Sequence, residues 1–207
     1  MGKQQILKVA WLSILLGVGM ELILLAVAVG MGKMPGLKSI VADVVQKVSW
    51  SLLVCIGLAF GAAAAKAREA VMGLSGLLAA PAAFHVARAL HKGTLQALGD
   101  VAASAAASPA PGVMALIRMV EYAWLGTILG WLGKRSAGGA LYAVVGLATG
   151  LVCAGLIVRL AFSGAAQPST AALISKAINE ILFPMGCSLV LFAAEAAGRR
   201  GTIRSRD

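Results

Sequence analysis

The sequence predicts an all-α membrane protein, a polytopic bundle of six transmembrane helices. Sixty per cent of its 207 residues are apolar and only 13% are charged, with a mean hydropathy of +0.91. Several apolar runs also approach the roughly 20 residues that a helix needs to cross a bilayer. A soluble domain would not carry so much apolar sequence. We therefore expect one transmembrane domain over residues 1–198, followed by a basic cytoplasmic tail over 199–207.

Hydropathy places the six spans in order along the chain. They cover about residues 11–30, 48–65, 71–90, 113–131, 140–162 and 171–194. Lys3 and Lys8 precede the first span, as basic residues do in a secretory signal peptide. However, this apolar run is longer than the roughly 7–15 residues of a signal core, and it contains Glu21. The first span is therefore predicted to be a retained helix.

Two segments between the spans are predicted to lie outside the apolar core of the membrane. Residues 37–48 place apolar and polar side chains on opposite helix faces, which predicts a short amphipathic helix at the interface before the second span. Residues 93–112 are rich in Ala and Ser and end in a Pro-containing run, which predicts a flexible connection or a short helix with a loop. A plain linker explains this second segment, although a partner protein could also dock there.

The distribution of basic residues predicts the orientation. Of the 18 Lys and Arg residues, ten lie at the termini or in turns on the same side, four lie on the opposite side, and four lie within spans. Because basic residues favour the cytoplasmic side, both termini are predicted to be cytoplasmic, in a cell inner (plasma) membrane. The net charge of +10 is spread over short turns and a tail, so it does not indicate a nucleic-acid-binding face.

Small residues indicate how the helices pack. Three Gly-x3-Gly pairs, starting at Gly57, Gly126 and Gly146, each place two glycines on one helix face and allow a neighbouring helix to approach closely. Packing within the bundle is the simpler interpretation, and a homodimer interface is the alternative. The three cysteines lie inside predicted spans, where a thiol usually packs as a small apolar group. Their spacing indicates neither a disulfide framework nor a zinc site.

Ionisable side chains inside the predicted spans are the strongest functional signal. They are Glu21, Arg88, Arg118, Glu121, Arg159, Lys176 and Glu180, and the polar residues His85 and Asn179 share faces with them. A charge at membrane depth is costly and persists only where it is paired, hydrated or used in function. Glu21 lies near the middle of the first span, and the predicted topology places the others in the outer half of the membrane. Glu21 has no opposite charge within one turn of its own helix, so it must find a partner on another helix, be hydrated or be protonated.

This arrangement predicts an outward-facing polar pocket. Its basic residues outnumber Glu121 and Glu180, which suits a small anionic solute, and Glu21 beneath them could carry a proton or gate the path. The alternative is a set of structural Arg–Glu pairs between helices. In that interpretation the outermost basic side chains extend to the lipid head groups, namely Arg88, Lys92 and Arg159.

Two prolines fall within predicted spans. Pro184 is predicted to interrupt the sixth helix and to free backbone carbonyls near the pocket, as transporters often do at their sites. Pro81 is predicted to act in the same way in the third helix.

Enzyme signatures are mostly absent from the sequence, so we predict no catalysis, cofactor or metal. The segment Gly73-Leu-Ser-Gly76 resembles the G-x-S-G motif of rhomboid-type intramembrane serine proteases, which also have six core helices. Those proteases need a histidine on a later helix, whereas His85 lies on the same helix and His91 just beyond it. Two histidines close together on one helix cannot supply a haem pair from facing helices, nor a three-ligand zinc site without the help of a carboxylate. The sequence also contains no Walker pattern.

Two functions remain open at this stage. The first is a small transporter, channel or substrate-binding permease, which moves an anionic solute and is coupled to protons or another ion through its buried carboxylates. In size and span number the chain resembles small bacterial permeases, including amino-acid exporters and the vitamin-binding S components of energy-coupling transporters. The second is a non-catalytic subunit that anchors or scaffolds a larger membrane complex. Besides the lipid bilayer, its partners would then be other membrane subunits or further copies of the chain.

Overall fold

A computed structural model describes residues 3–64, 66–100, 111–162 and 169–204. In these residues the only regular secondary structure is six helices: α1 (Lys3–Gly30), α2 (Leu37–Ala62), α3 (Arg68–Ala97), α4 (Pro111–Lys134), α5 (Gly139–Phe162) and α6 (Thr170–Arg204). Each is long and apolar enough to cross a membrane. The predicted all-α architecture, with six helices long and apolar enough to span a membrane, is therefore confirmed, and it indicates a multi-pass membrane protein.

Several helices extend beyond the predicted spans. The last helix, α6, has 35 residues and is about 52 Å long at ~1.5 Å per residue, whereas the hydrocarbon core is ~30 Å thick. It includes the first residues of the predicted basic tail, while residues 205–207 lie outside the described part of the chain. The predicted linker over 93–112 begins inside α3 and ends inside α4, and residues 101–110 are not among those described.

The predicted interfacial helix before the second span is not confirmed. Residues 37–47 form the first three turns of α2 and continue into the span without interruption. One face of these turns contacts α1 and a cavity, through Lys47 among others. The polar face that suggested contact with water therefore belongs partly to the inside of the bundle.

The predicted helix breaks at Pro81 and Pro184 are not found. Both α3 and α6 continue through their prolines as single helices. Pro184 still lacks a backbone N–H, so it cannot donate to the carbonyl of Glu180 one turn earlier. Gly150 of α5 packs against the Glu180 carbonyl. The approach is close, since a Cβ added to Gly150 would lie 2.9 Å from that carbonyl oxygen. Close packing by a neighbouring helix thus accommodates the proline.

The helices pack mainly on their neighbours in the chain. Contacts join α1 to α2, α2 to α3, α3 to α4 and α5 to α6, with fewer between α4 and α5. The last helix closes the bundle by packing on α1, and it also reaches α2 and α4 across the centre. The last helix, α6, therefore contacts four of the other five helices inside the bundle.

The three Gly-x3-Gly pairs lie at contacts inside the bundle. An added Cβ at Gly61 would come 2.6 Å from Cα of Met72 in α3, and one at Gly130 would come 2.7 Å from Cα of Glu69 in α3. A Cβ at Gly146 would come 2.6 Å from Cα of Met185 in α6. The glycines therefore support helix packing within the chain, which is the simpler of the two sequence interpretations.

Apolar side chains cover the outside of the bundle. Trp11, Phe60 and Val152 are each at least 60% exposed, while Tyr122 and Leu125 are fully buried. An exterior of this kind needs a lipid environment.

Ion pairs connect the helices at the end of the bundle where α1 begins. Arg68 of α3 pairs with Glu195 of α6, and the Tyr142 hydroxyl of α5 donates to the same carboxylate at 3.2 Å. Lys134 of α4 pairs with Glu69 of α3. We call the half of the bundle opposite this end the far half.

Candidate functional site

A cavity of about 470 Å³ lies in the far half. Five of the six helices line it, and only α5 contributes none of the lining residues. The lining is formed by Glu21, Leu24, Leu25, Ala28, Pro35, Asp43, Gln46, Lys47, Trp50, Phe84, Ala87, Met114, Arg118, Ser175, Lys176, Asn179, Glu180 and Phe183. Charged, amide and aromatic side chains thus meet at one depth in helices of membrane-spanning length.

A buried triad of charged residues forms one wall. Arg118 of α4 donates from Nη1 to Oε2 of Glu121 at 2.6 Å, one turn along the same helix. Its Nη2 pairs with Oε2 of Glu180 on α6. The guanidinium also lies over the ring of Trp50, with Cζ 5.4 Å from the ring centroid, which adds a cation–π contact from α2. Arg118 therefore connects three helices at the cavity.

A second ion pair lies where α1 meets α2. Nζ of Lys47 is 2.6 Å from Oε2 of Glu21, and both side chains are largely buried. Of the alternatives that the sequence left open for Glu21, the structure shows the first, a partner on another helix, and that partner is the Lys47 ammonium. We call this contact the Glu21–Lys47 pair.

Lys176 and Asn179 also line the cavity. Both are half-buried on α6, one turn before Glu180 and Phe183. Within the described residues, no carboxylate lies close enough to Lys176 to form an ion pair. Among the cations of the lining, Lys176 is therefore the one that can meet a solute without first losing a protein partner.

Four predicted site residues do not line the cavity. His85 and Arg159 are exposed on the outside of the bundle, and Arg88 is half-buried on α3. The rotation of their helices turns these side chains away from the cavity. Glu121 also lies behind the cavity wall and reaches it only through Arg118.

The charges of the lining are balanced. Three cations, Lys47, Arg118 and Lys176, face three carboxylates, Glu21, Asp43 and Glu180. The predicted net-basic pocket is therefore not found. Two of its four basic residues lie outside the lining, and α2 supplies a carboxylate that the prediction assigned to the membrane surface.

The α2 residues are what sequence reasoning missed. Asp43, Gln46, Lys47 and Trp50 all line the cavity, and Asp43 also lies 3.2 Å from Nε2 of His91 on α3. The amphipathic pattern showed a polar face at helical spacing but did not show what covers it. The one available signal was Glu21, for which a partner on another helix was one of three alternatives, beside hydration and protonation.

Two thiols meet beneath the cavity. Sγ of Cys55 on α2 is 3.3 Å from Sγ of Cys187 on α6, and both residues are fully buried. They lie just beyond Trp50 and Phe183 along their helices and pack as small apolar groups between α2 and α6. Across the described residues, no group of three or more His, Cys, Asp or Glu side chains could hold a metal ion.

Comparisons with known proteins were negative. No family model, curated protein or solved structure matches the chain. The role of the cavity is therefore inferred from its own geometry.

The cavity offers groups that suit reversible binding of a small molecule. Lys176 supplies a positive charge, Asn179 and Gln46 supply amide donors and acceptors, and Phe84 and Phe183 supply apolar faces. Small-molecule pockets in proteins commonly measure ~300–1,000 Å³ and combine apolar walls with a few polar groups. The volume and the lining both fall within that description.

Proposed function

We propose that the protein is a small membrane permease that binds a polar solute in the charged cavity and moves it across the bilayer. The observation that carries this proposal is the cavity itself, which five helices line with six charged side chains. Charges that serve only to tie helices together need no open space between them. An open, charged space inside helices of membrane-spanning length instead fits a solute path.

The solute carries at least one anionic group, which pairs with Lys176. In the far half, Lys47 is held by Glu21 and Arg118 by two carboxylates, which leaves Lys176 as the available cation of the lining. The apolar part of the solute packs against Phe84 and Phe183. We further propose that both termini are cytoplasmic in the inner (plasma) membrane, so that the cavity opens outward.

A solute screen tests the proposal directly. The purified protein is melted in detergent with amino acids, carboxylic acids, phosphate esters, sugars and amines, because a ligand that binds the folded state raises the melting temperature. Hits are then followed as flux into proteoliposomes. We expect an anionic hit, and we expect Lys176→Gln to weaken its binding at least about tenfold, since a charge-assisted contact contributes ~1.5–3 kcal/mol.

Arg159→Gln is the matched control, because it removes a cation from the exposed surface of α5, outside the cavity. It should bind and transport like the wild type. A wild-type protein that no solute stabilises, or a Lys176→Gln variant that binds as tightly as the wild type, would contradict the proposal.

A second function is a non-catalytic subunit that anchors or scaffolds a membrane complex. The observation that favours it is that most of the buried charges already form pairs between helices, as Glu21 does with Lys47 and Arg118 with Glu180. Mass analysis of the protein extracted from its own membrane in a mild detergent separates the two functions. Stoichiometric foreign chains that are lost on truncation after Ala197 would favour the subunit, and a single species or homo-oligomer would favour the permease.

A further inference from the structure

Two buried carboxylates share one guanidinium in the Glu121–Arg118–Glu180 triad. If all three groups are ionised, the triad carries one net negative charge. Glu121 is 2% exposed, Glu180 4% and Arg118 6%. An uncompensated charge at such a site is far more costly than a balanced pair. The geometry therefore calls for one further positive charge.

No second protein cation forms an ion pair with the triad in the described part of the chain. There, only Arg118 forms an ion pair with either carboxylate. The Lys47 ammonium is paired with Glu21, and Lys176 pairs with none. The other charged groups that line the same cavity are Glu21 on α1, Asp43 and Lys47 on α2, and Lys176 on α6. The further titratable groups on the packed helices are Cys55 on α2, Arg88 on α3, Tyr122 on α4, Cys153 on α5 and Cys187 on α6.

The two carboxylates of the triad differ in their surroundings. Oε1 of Glu121 is buried without a hydrogen-bond partner among the described residues, whereas Glu180 lines the cavity. A bare carboxylate oxygen at such a site lacks the donors that its charge requires. A neutral carboxylic acid does not carry that charge, and its other oxygen still accepts from Arg118. Glu121 is therefore the member best placed to hold a proton.

We propose that the triad binds one exchangeable proton, held on Glu121, and that this proton couples to the solute in the cavity. The balance is simple: the ionised triad takes up H⁺ at a Glu121 oxygen and becomes neutral, and it releases the same proton to return. This inference rests on the proposed function for its coupling, while the proton site itself does not. It assigns the proton to Glu121 rather than to Glu21, whose charge Lys47 already balances.

The coupling follows from the position of the triad in the wall. Arg118 and Glu180 line the cavity, with Glu121 directly behind them. An anionic solute enters more readily beside a neutral triad than beside one that carries a negative charge. By linkage, the solute then also stabilises the bound proton, so the two are taken up together.

Infrared difference spectroscopy tests the proton site without any solute. The protein in lipid is titrated in H2O and in D2O, and the carbonyl band of a protonated carboxylic acid is followed. At neutral pH we expect about one such band per protein, with the shift in D2O that marks an exchangeable proton. Glu121→Gln should lack it, and this isosteric variant copies the neutral acid and keeps the hydrogen bond to Arg118.

Glu180→Gln should lose the band as well, because it leaves Glu121 and Arg118 as a balanced pair. Glu69→Gln, which alters an ion pair at the opposite end of the bundle, should keep it. A wild type without the band, a band that persists in Glu121→Gln or Glu180→Gln, or a band that Na⁺ removes at constant pH would overturn the proposal. A band in a protein that transports no solute would support the proton site and contradict only the proposed permease. Solute flux in a protein without the band would support the permease and contradict the proton site.

Discussion

At the residue scale, whether an intramembrane charge is paired depends on which side chain of another helix lies beside it. Glu21 was predicted to find a partner on another helix, to be hydrated or to be protonated, and the structure places Nζ of Lys47 2.6 Å from its carboxylate. Arg118 was predicted to line a pocket, and it does so while holding two carboxylates. The cost of a charge in lipid identified these residues from the sequence alone. It did not identify their partners, because hydropathy gives depth but not helix rotation.

The Glu21–Lys47 pair gives a prediction at this scale. Glu21→Gln or Lys47→Gln alone should lower the stability of the protein by about 3 kcal/mol, because each leaves an uncompensated charge in a largely buried site. The double variant should regain much of that loss, since it leaves no net charge. Thermal melting in detergent gives the ranking. Single variants that melt with the double variant or above it would show that the two side chains are not paired.

At the element scale, the sequence predicted the apolar spans but not which neighbouring helix covers a given helix face. Six stretches of about 20 apolar residues leave few alternatives to membrane-spanning helices, and all six are present. The segment 37–47 was different, because its pattern fits a helix on the membrane surface as well as one whose polar face meets a cavity. Pro184 also could not be read correctly from the sequence, since the glycine that packs against the freed carbonyl lies on another helix.

The contact between α5 and α6 gives a prediction at this scale. Gly150→Ala should destabilise the protein by about 1–3 kcal/mol, because the new methyl group would lie 2.6 Å from the carbonyl oxygen of Ile181. Gly155→Ala on the same helix is the control, since nothing lies within 4 Å of an added Cβ there. It should be neutral or stabilise α5 by up to ~1 kcal/mol through helix propensity. Equal melting temperatures for the two variants would mean that Gly150 is not at a close helix contact.

At the scale of the whole molecule, the central feature is a charged cavity that no single helix reveals. Sequence reasoning placed the polar groups of several helices at one depth, and the structure brings Glu21, Arg118, Lys176, Asn179 and Glu180 together there. It could not separate them from residues that face outward at a similar depth. The balance of charge in the lining depends on that separation, so a surplus of cations in the sequence was a poor guide to the pocket.

The most direct measurement is the reactivity of a cysteine placed in the cavity. The three native cysteines are first changed to Ala, and a single cysteine is then introduced as Asn179→Cys or Val152→Cys. The two positions lie at similar depth, because Asn179 is nine residues after the start of α6 and Val152 is ten residues before the end of α5. Val152 is 67% exposed on the outside of the bundle, where lipid should cover it. Each variant is treated in intact cells, and then in opened membranes, with a charged thiol reagent that does not dissolve in lipid. We expect Asn179→Cys to react from outside the cell and Val152→Cys to remain unmodified. If Asn179→Cys reacts no faster than Val152→Cys even in opened membranes, the cavity is dry and the charges are structural pairs, which would contradict a solute path.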